Sequence, residues 1–412
     1  MALLASPSLV ERIALSGTVH CVSGIPLGGI SGTGQLLSRI SAEISQYNLP
    51  MKLHCPLPER AIRGLFRQGK IFEAFYEPVR RRNIFREQTR MLKVCAQADE
   101  PLILFHPPRL GWRDVIEALQ LRKGFTWIFV LDCFFFCRRG YNIVEPELAP
   151  CFRCVTTDGE PGERLGCPVV RSHHFDSGFF KQFAAMVRAG KIGFLAQTAE
   201  HAQLVGQHFQ CSPRIEVVGL DLPEMDIPTQ ASTEAGYDMV YHGAASWEKG
   251  LGIALSIARD LPEFSMLIPA SSEHVLKVLP DAVSRVIPSN VTCKPLNWGT
   301  GLKEALLEAK LSLCPSIWAA PIEGAVLKSM KFGGIVALLR GHGQFGKEIP
   351  QNACIEIDPA RWDASITKLR ETLQNAKLRQ AIRAEANGFL NSFIDANKNF
   401  TRRLCQIALS RN

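Results

Sequence analysis

The chain has no run of about 20 apolar residues of the kind a membrane-spanning helix needs. Its most apolar internal stretch, "GFTWIFVLDCFFFC", is shorter than that and carries Asp132. The opening "MALLASPSLVERIALSG" has no basic segment ahead of its apolar residues. Glu11 and Arg12 interrupt it early, so it does not read as a cleavable leader. An excess of one charge is lacking too: 47 Lys and Arg against 39 Asp and Glu leave +8 on 412 residues. That balance ranks anionic partners first and excludes none. Basic residues are not interleaved with aromatics in a recognisable module, so nucleic acid is not an expected partner. No repeat or low-complexity tract is found. No Gly-Lys-Ser/Thr follows the glycine-rich turn and no G-x-G-x-x-G spacing occurs there, which excludes a P-loop and the usual dinucleotide fingerprint.

What is present describes a folded protein. Hydrophobic residues are 46% of the chain and charged residues 21%, enough for a core throughout, and the length calls for two domains. Thirteen cysteines, an odd count, predict a reducing compartment and free thiols, hence a cytoplasmic location. Apolar runs alternate with helical patterns. "RIALSGTVHCV", "MKLHC", "PLILFH", "WIFVLD" and "KIGFLAQ" read as strands in the first half; "DMVYHGA", "FSMLIP", "NVTCKP", "LSLCPS" and "GIVALL" do so in the second. The alternation predicts an α/β protein with two doubly wound, Rossmann-like domains and a cleft between them, ligands lying at the carboxyl ends of the strands. The aperiodic segment from Gly219 to Asp238 is the expected linker. The domain boundaries are drawn at 1–222, 236–385 and a helical tail over 386–412.

Three constellations carry chemistry. In "PLGGISGTGQLLSRISAEI" a glycine-rich turn opens a helix, and Gly28, Gly29, Gly32 and Gly34 would let backbone N–H groups approach a phosphate or sugar. A tight βα turn without a ligand is the alternative. In "DMVYHGAASWEKGLGIALSIARDLP" a strand leads through Gly243 to Lys249 at the start of an amphipathic helix, where an ammonium beside free N–H groups suits a phosphate. In "SIWAAPIEGAVLKSMKFGG" Glu323 and Gly324 open a helix that contains Lys328. Glu323 either complements the helix dipole or accepts hydroxyls of a sugar or ribose.

Taken in order, these stretches resemble the retaining glycosyltransferases of family 4, which have the two-domain GT-B fold. In that family a "GG" turn closes over the donor, a "G-R-x-x-x-E-K-G" loop grips the diphosphate, and an "E-x(7)-E-A-M-x-x-G" element binds the donor's sugar and ribose. The corresponding stretches here are "HGAASWEKG" and "CPSIWAAPIEGAVLKSMKFGG", and "EVVGLDLP" stands where the family has "V-I-P-N-G-V-D". The resemblance runs over nearly the whole chain. It also departs from the family at three positions: the phosphate-binding Arg falls on Ala244, the first Glu on Ala320 and the second on Lys328. An Arg fork for the diphosphate is thereby lost, and a cation stands where ribose hydroxyls want an acceptor. Glu323 is the substitute carboxylate. The resemblance implies residues 1–222 on the acceptor side, 236–385 binding the nucleotide sugar, and a last helix returning to the first domain.

Cys137, Cys151, Cys154 and Cys167 form C-x13-C-x2-C-x12-C within an insertion of the first domain over about 133–167, and "CFRC" reads as a zinc knuckle. Free buried thiols are the alternative. The segment also resembles a cysteine-bearing insertion of some family members that begins "HDFWFLCPRG"; that His is Leu131 here. The segment 80–93, with Arg80, Arg81, Arg82, Arg86, Arg90 and Lys93, reads as a basic helix suited to an anionic membrane on the inner face of the plasma membrane, or as an ordinary solvated face. His106 in "LFHPP" is a candidate acid/base group and Trp298 in "LNWGTG" a candidate to flank the nucleobase; each also has a purely structural reading.

The expected activity is transfer of a sugar from a nucleotide-activated donor to a glycan or lipid-linked acceptor, with retention, in cell-surface polysaccharide or glycoconjugate synthesis. Lys249 and the helix start at Glu323 and Gly324 stabilise the departing phosphate, and no cofactor is required. The alternative is a catalytically degenerate protein of this fold, acting as a binding or regulatory subunit.

Overall fold

The structure is a computed structural model, and it describes residues 17–28, 32–58, 62–170, 172, 175–220, 236–281 and 285–410. Gly29 and most of the expected linker lie outside the described residues.

Two six-stranded sheets organise the chain, and the described strand pairs in both run parallel. The first contains β1 (Val19–Ser23), β2 (Met51–His54), β3 (Leu102–Phe105), β4 (Thr126–Phe129), β5 (Ile192–Ala196) and β6 (Arg214–Val217), in the order β2-β1-β3-β4-β5-β6. The second contains β7 (Met239–Tyr241), β8 (Met266–Ile268), β9 (Val291–Cys293), β10 (Leu311–Leu313), β11 (Val336–Leu338) and β12 (Ile355–Glu356), in the order β12-β11-β10-β7-β8-β9. Strands covered on both faces read as unbroken apolar runs. β3 "LILF", β4 "TWIF" and β5 "IGFLA" are buried at every position.

Each order reverses direction once. In the first sheet the reversal lies between β1 and β3, and in the second between β7 and β10; counted from β7 the second is the Rossmann order. Ligands of such sheets bind outside the strand ends at the reversal. That rule selects the loops after β1 and β3 in one sheet and those after β7 and β10 in the other.

Contacts divide the chain into two units: Met1–Phe129 with His173–Leu195 and Asn399–Asn412, and Val130–Ser172 with Ala196–Lys398. The cysteine-bearing segment, expected within the first domain, is grouped by its contacts with the second unit. The tail forms two helices. Ala376–Asn397 packs Ala386 and Leu390 into the second unit's core beside Leu327, Met330 and Phe345, and Phe400–Leu409 packs with the first unit. In the first unit Trp112 is fully buried against Phe179, with ring centroids 4.6 Å apart. Among the described residues no helix is long and apolar enough to cross a membrane.

Candidate active site

The loop after β7 is shaped by a buried tyrosine and a glycine. Tyr241, the last residue of β7, sends its hydroxyl to the carbonyls of Ala244 (2.7 Å) and Lys249 (3.1 Å), closing the loop on itself. Gly250 then has φ +77°, and a Cβ there would lie 1.9 Å from the Pro315 carbonyl oxygen. Only glycine permits that backbone conformation and that approach together. The loop after β10 is held in turn by the Ile317 N–H, which donates to the Glu248 carbonyl at 3.0 Å.

The result is an ion pair between Lys249 and Glu323, which are 74 residues apart. Ser316 donates its hydroxyl to the same carboxylate oxygen, Oε1, at 2.6 Å. The ammonium also lies 4.9 Å from the centre of the Trp318 ring, within cation–π range. Burial alone would lower the Lys249 pKa, but the charge and hydrogen bond of Glu323 outweigh it, and the net shift is upward. Lys249 therefore stays a cation. Glu323 occupies the N-cap of the helix Gly324–Phe332 yet makes no capping bond with its side chain. Its carboxylate is turned to Lys249 and Ser316 instead, and both bonds fall on Oε1, leaving Oε2 for another donor. At Gly324 an added Cβ would meet nothing within 4 Å, so the helix start borders open space.

A second group lies beside it. His242, directly after β7, bonds the Ser329 hydroxyl through Nδ1 at 2.7 Å, and its ring lies nearly parallel to Trp298, 6.0 Å away. Lys328 Nζ sits 5.1 Å from the Trp298 ring centre. Trp298 is partly buried, packed edge-on against Phe332 at 5.1 Å. Burial pushes His242 down to about 4, with the Lys328 charge acting the same way.

Sequence reasoning had no signal for the anchor of this site. Asn142 is fully buried, and its Oδ1 accepts the Ala319 N–H at 2.8 Å and the Cys133 thiol at 3.4 Å, while its Nδ2 donates to the Cys151 carbonyl at 3.1 Å. Tyr141 packs its ring against Trp318, 4.7 Å between centroids. The cysteine-bearing segment is thus fastened to the loop that carries Ser316, Trp318 and Glu323.

Of the residues singled out from sequence, Gly243, Lys249, Trp298, Glu323, Gly324 and Lys328 all lie in the second unit, around the reversal between β7 and β10. Gly243 needs no glycine for space, since a Cβ there would make only ordinary contacts. Gly28 (φ +74°) and His106 (φ +51°) lie in the first unit, past the ends of the adjacent strands β1 and β3. Cys137, Cys151, Cys154 and Cys167 line one small cavity with Arg138, Ile143 and Gly162. Burial raises Cys137 to about 12 and also raises Cys154 and Cys167. Among the described residues, the set of three or more metal-ligating side chains whose donor atoms lie within 4.8 Å of one another is a different one, His20, His54 and Cys95.

Two parallel sheets of this kind, each with one reversal of strand order, define the GT-B architecture. Among solved structures it is shared by sucrose-phosphate synthase from Thermosynechococcus elongatus, at TM-score 0.60 and 10% identity over 95% of this chain and 98% of that one. A glycosyltransferase from Rickettsia africae matches at 0.56 and 10%, covering 96% and 100%. HepE from Anabaena, solved with UDP, matches at 0.55 and 11%, covering 94% and 99%. The pneumococcal O-GlcNAc transferase GtfA and TarM of S. aureus match at 0.47, and the chain spans only 59% and 58% of their lengths. Identities this low establish the fold alone. No family model and no curated protein sequence matches the chain.

Three histidines of the second unit, His201, His208 and His242, are each held near 4, chiefly by burial. An unfolded histidine titrates near 6.5. Above that value neither state binds the proton; between 6.5 and 4 only the unfolded chain takes it up, so stability is lost as pH falls. Each contributes up to about 1.4 kcal/mol per pH unit in that window. Urea midpoints are expected to fall steadily from about pH 7 to about pH 5, less steeply in His242→Gln. A midpoint flat across the window would contradict the burial of all three.

Proposed function

We propose that the protein transfers a sugar from a nucleotide-activated donor to a glycan or lipid-linked acceptor in cell-surface glycoconjugate synthesis. The observation that carries this reading is the Lys249–Glu323 pair at the reversal of a Rossmann-ordered sheet, beside an open helix start. HepE, which shares the fold, is described in complex with UDP and with UDP-glucose, so a UDP-sugar is the first donor to test. Negative charge grows on the departing diphosphate as the sugar becomes oxocarbenium-like. Lys249 and the unpaired N–H groups of the helix Gly324–Phe332 stabilise the first, and the Glu323 carboxylate faces the second and accepts sugar hydroxyls. Retention is assigned on the family resemblance, and His106 is assigned to the acceptor side.

A second reading has one observation in its favour. Lys249 is already neutralised by Glu323, the family Arg is Ala244, and Lys328 is left over Trp298. A pocket so arranged binds an anion without being built for transfer, as in a regulatory subunit of this fold.

The acceptor side includes the helix Ile71–Gln97. Its Arg80 and Arg81 pair with Glu77, and Lys93 pairs with Glu117. Arg82, Arg86 and Arg90, four residues apart, form an exposed stripe. Toward its start Phe72 is 92% exposed, and Phe75, Tyr76 and Val79 are also exposed. Apolar and cationic surface on one helix suits an anionic membrane, and we assign this helix to peripheral contact there.

The four cysteines suit structural zinc by chemistry, as soft thiols around one cavity. Zinc held there would stiffen the segment that Asn142 fastens to the donor loop.

Thermal shift against a panel of nucleotides and nucleotide sugars identifies the donor. Lys249→Ala should weaken its binding by roughly 10- to 100-fold. Glu323→Gln should leave nucleotide binding nearly unchanged and cut transfer by roughly 10- to 1,000-fold. Lys328→Glu should change which donors bind. Full transfer by Glu323→Gln would defeat the catalytic assignment; binding by the wild type with no transfer to any acceptor would favour the second reading. Vesicles containing phosphatidylglycerol should sediment the protein and neutral vesicles should not, with roughly 100-fold weaker binding after Arg82, Arg86 and Arg90 are all changed to Ala. Equal binding to both vesicle types would remove the helix from the membrane. Changing Cys151 and Cys154 to Ser should remove about one zinc per chain; an unchanged zinc content would return these cysteines to free thiols.

A further inference from the structure

Outside the candidate active site the first unit holds a cluster that the proposed function does not use. His20 is the second residue of β1 and His54 the last of β2. The register pairs Val22 with His54 and His20 with Lys52, so His20 and His54 lie on the same face of the sheet, two positions out of step. Cys95 lies on the helix Ile71–Gln97 and is buried. His20 Nδ1 and His54 Nε2 are 3.1 Å apart, with the rings within 4° of parallel, and Cys95 Sγ is 3.6 Å from the same His20 Nδ1. All three donor atoms lie within 4.8 Å of one another.

His20 and His54 share one N–H···N bond, and Cys95 competes for the same His20 nitrogen. Burial lowers both histidines below their ordinary value and raises Cys95 to about 11, so the three groups are neutral. His20 Nδ1 faces two neighbours and offers either one proton or one lone pair, so it cannot bond well to both. The two spacings to His20 Nδ1 match another use. Zinc bonds of about 2.0–2.1 Å to nitrogen and about 2.3 Å to sulfur give tetrahedral edges of about 3.3 Å between nitrogens and about 3.6 Å from nitrogen to sulfur.

We propose that His20, His54 and Cys95 bind one zinc ion, or a cation of the same borderline-soft, divalent class, clipping β1 and β2 to the helix above them. Binding displaces the Cys95 thiol proton to solvent, and the thiolate and two neutral imidazoles then hold the ion. A water or small ligand would complete the tetrahedron, and His54 also lines a cavity of about 290 Å³ with Ser23, Cys55 and Gln88. The carboxylate of Glu100 and the cations of Lys52 and Arg122 are the charges nearest His20 in effect, and none belongs to the trio.

The test uses the full chain carrying Cys151→Ser and Cys154→Ser, so that the cysteine-rich segment contributes no signal. After chelator treatment, cobalt(II) is added as a probe and then displaced with zinc. The expected result is one equivalent of cobalt with a thiolate charge-transfer band and the spectrum of a tetrahedral ion, both erased by zinc. Cys95→Ser should remove the band, and His54→Gln should weaken zinc binding by more than about 100-fold, beyond the loss typical of an outer-shell partner. If Cys95→Ser fails to fold, His54→Gln alone decides. No charge-transfer band in the parent, or zinc affinity unchanged in His54→Gln, would overturn the site and leave a hydrogen-bonded histidine pair beside a thiol. Neither result bears on nucleotide binding by the second unit.

Discussion

The second unit depends on one close approach, where the backbone at Gly250 meets the carbonyl of Pro315 with no room for a side chain between. Strands β7 and β10 are neighbours in the sheet, but their loops have separate helices to reach and would ordinarily diverge. At this point they touch. The Tyr241 hydroxyl gathers one loop, the Glu248 carbonyl receives an N–H from the other, and the two charged side chains meet as a consequence. The strain of a left-handed residue is avoided by using glycine, and the desolvation of the lysine is offset by the carboxylate across from it.

That pairing sets the terms for any ligand. Lys249 is not a solvated, mobile lysine: its ammonium is already oriented by Glu323 and the Trp318 ring, and under the proposed function a diphosphate would have to share it. Orientation in advance lowers the entropy lost on binding, while the shared charge weakens the attraction itself. Lys328 is a second lysine of this region and lies over the Trp298 ring. Its place over Trp298, which itself lies against His242, puts aromatic surface and positive charge on one patch.

Much of the fold was legible because parallel strands buried on both faces leave continuous apolar runs; ten strands stood out in the sequence, most of them as such runs. β6, "RIEV", and β12, only Ile355 and Glu356, did not, because an alternating polar strand and a two-residue strand carry no such run. Lys249 and Glu323 were legible through the order of their motifs, though not their mutual bond, since no spacing predicts a contact across 74 residues. Asn142 and Ser316 are common residues in unremarkable surroundings, and their roles exist only once the chain has folded. His20, His54 and Cys95 come from two strands and a helix with no shared motif, and the sheet register alone brings the two histidines to one face.

The carboxamide of Asn142 has a consequence for how the second unit comes apart. Through three bonds it holds the Cys133 thiol, the Cys151 carbonyl and the Ala319 N–H, the last 177 residues away in the chain. Residues 133–151 therefore cannot swing open without releasing the loop that presents Glu323. The two segments form one cooperative opening unit, and the amide of Ala319 exchanges its hydrogen with solvent only as often as the cysteine-bearing segment detaches.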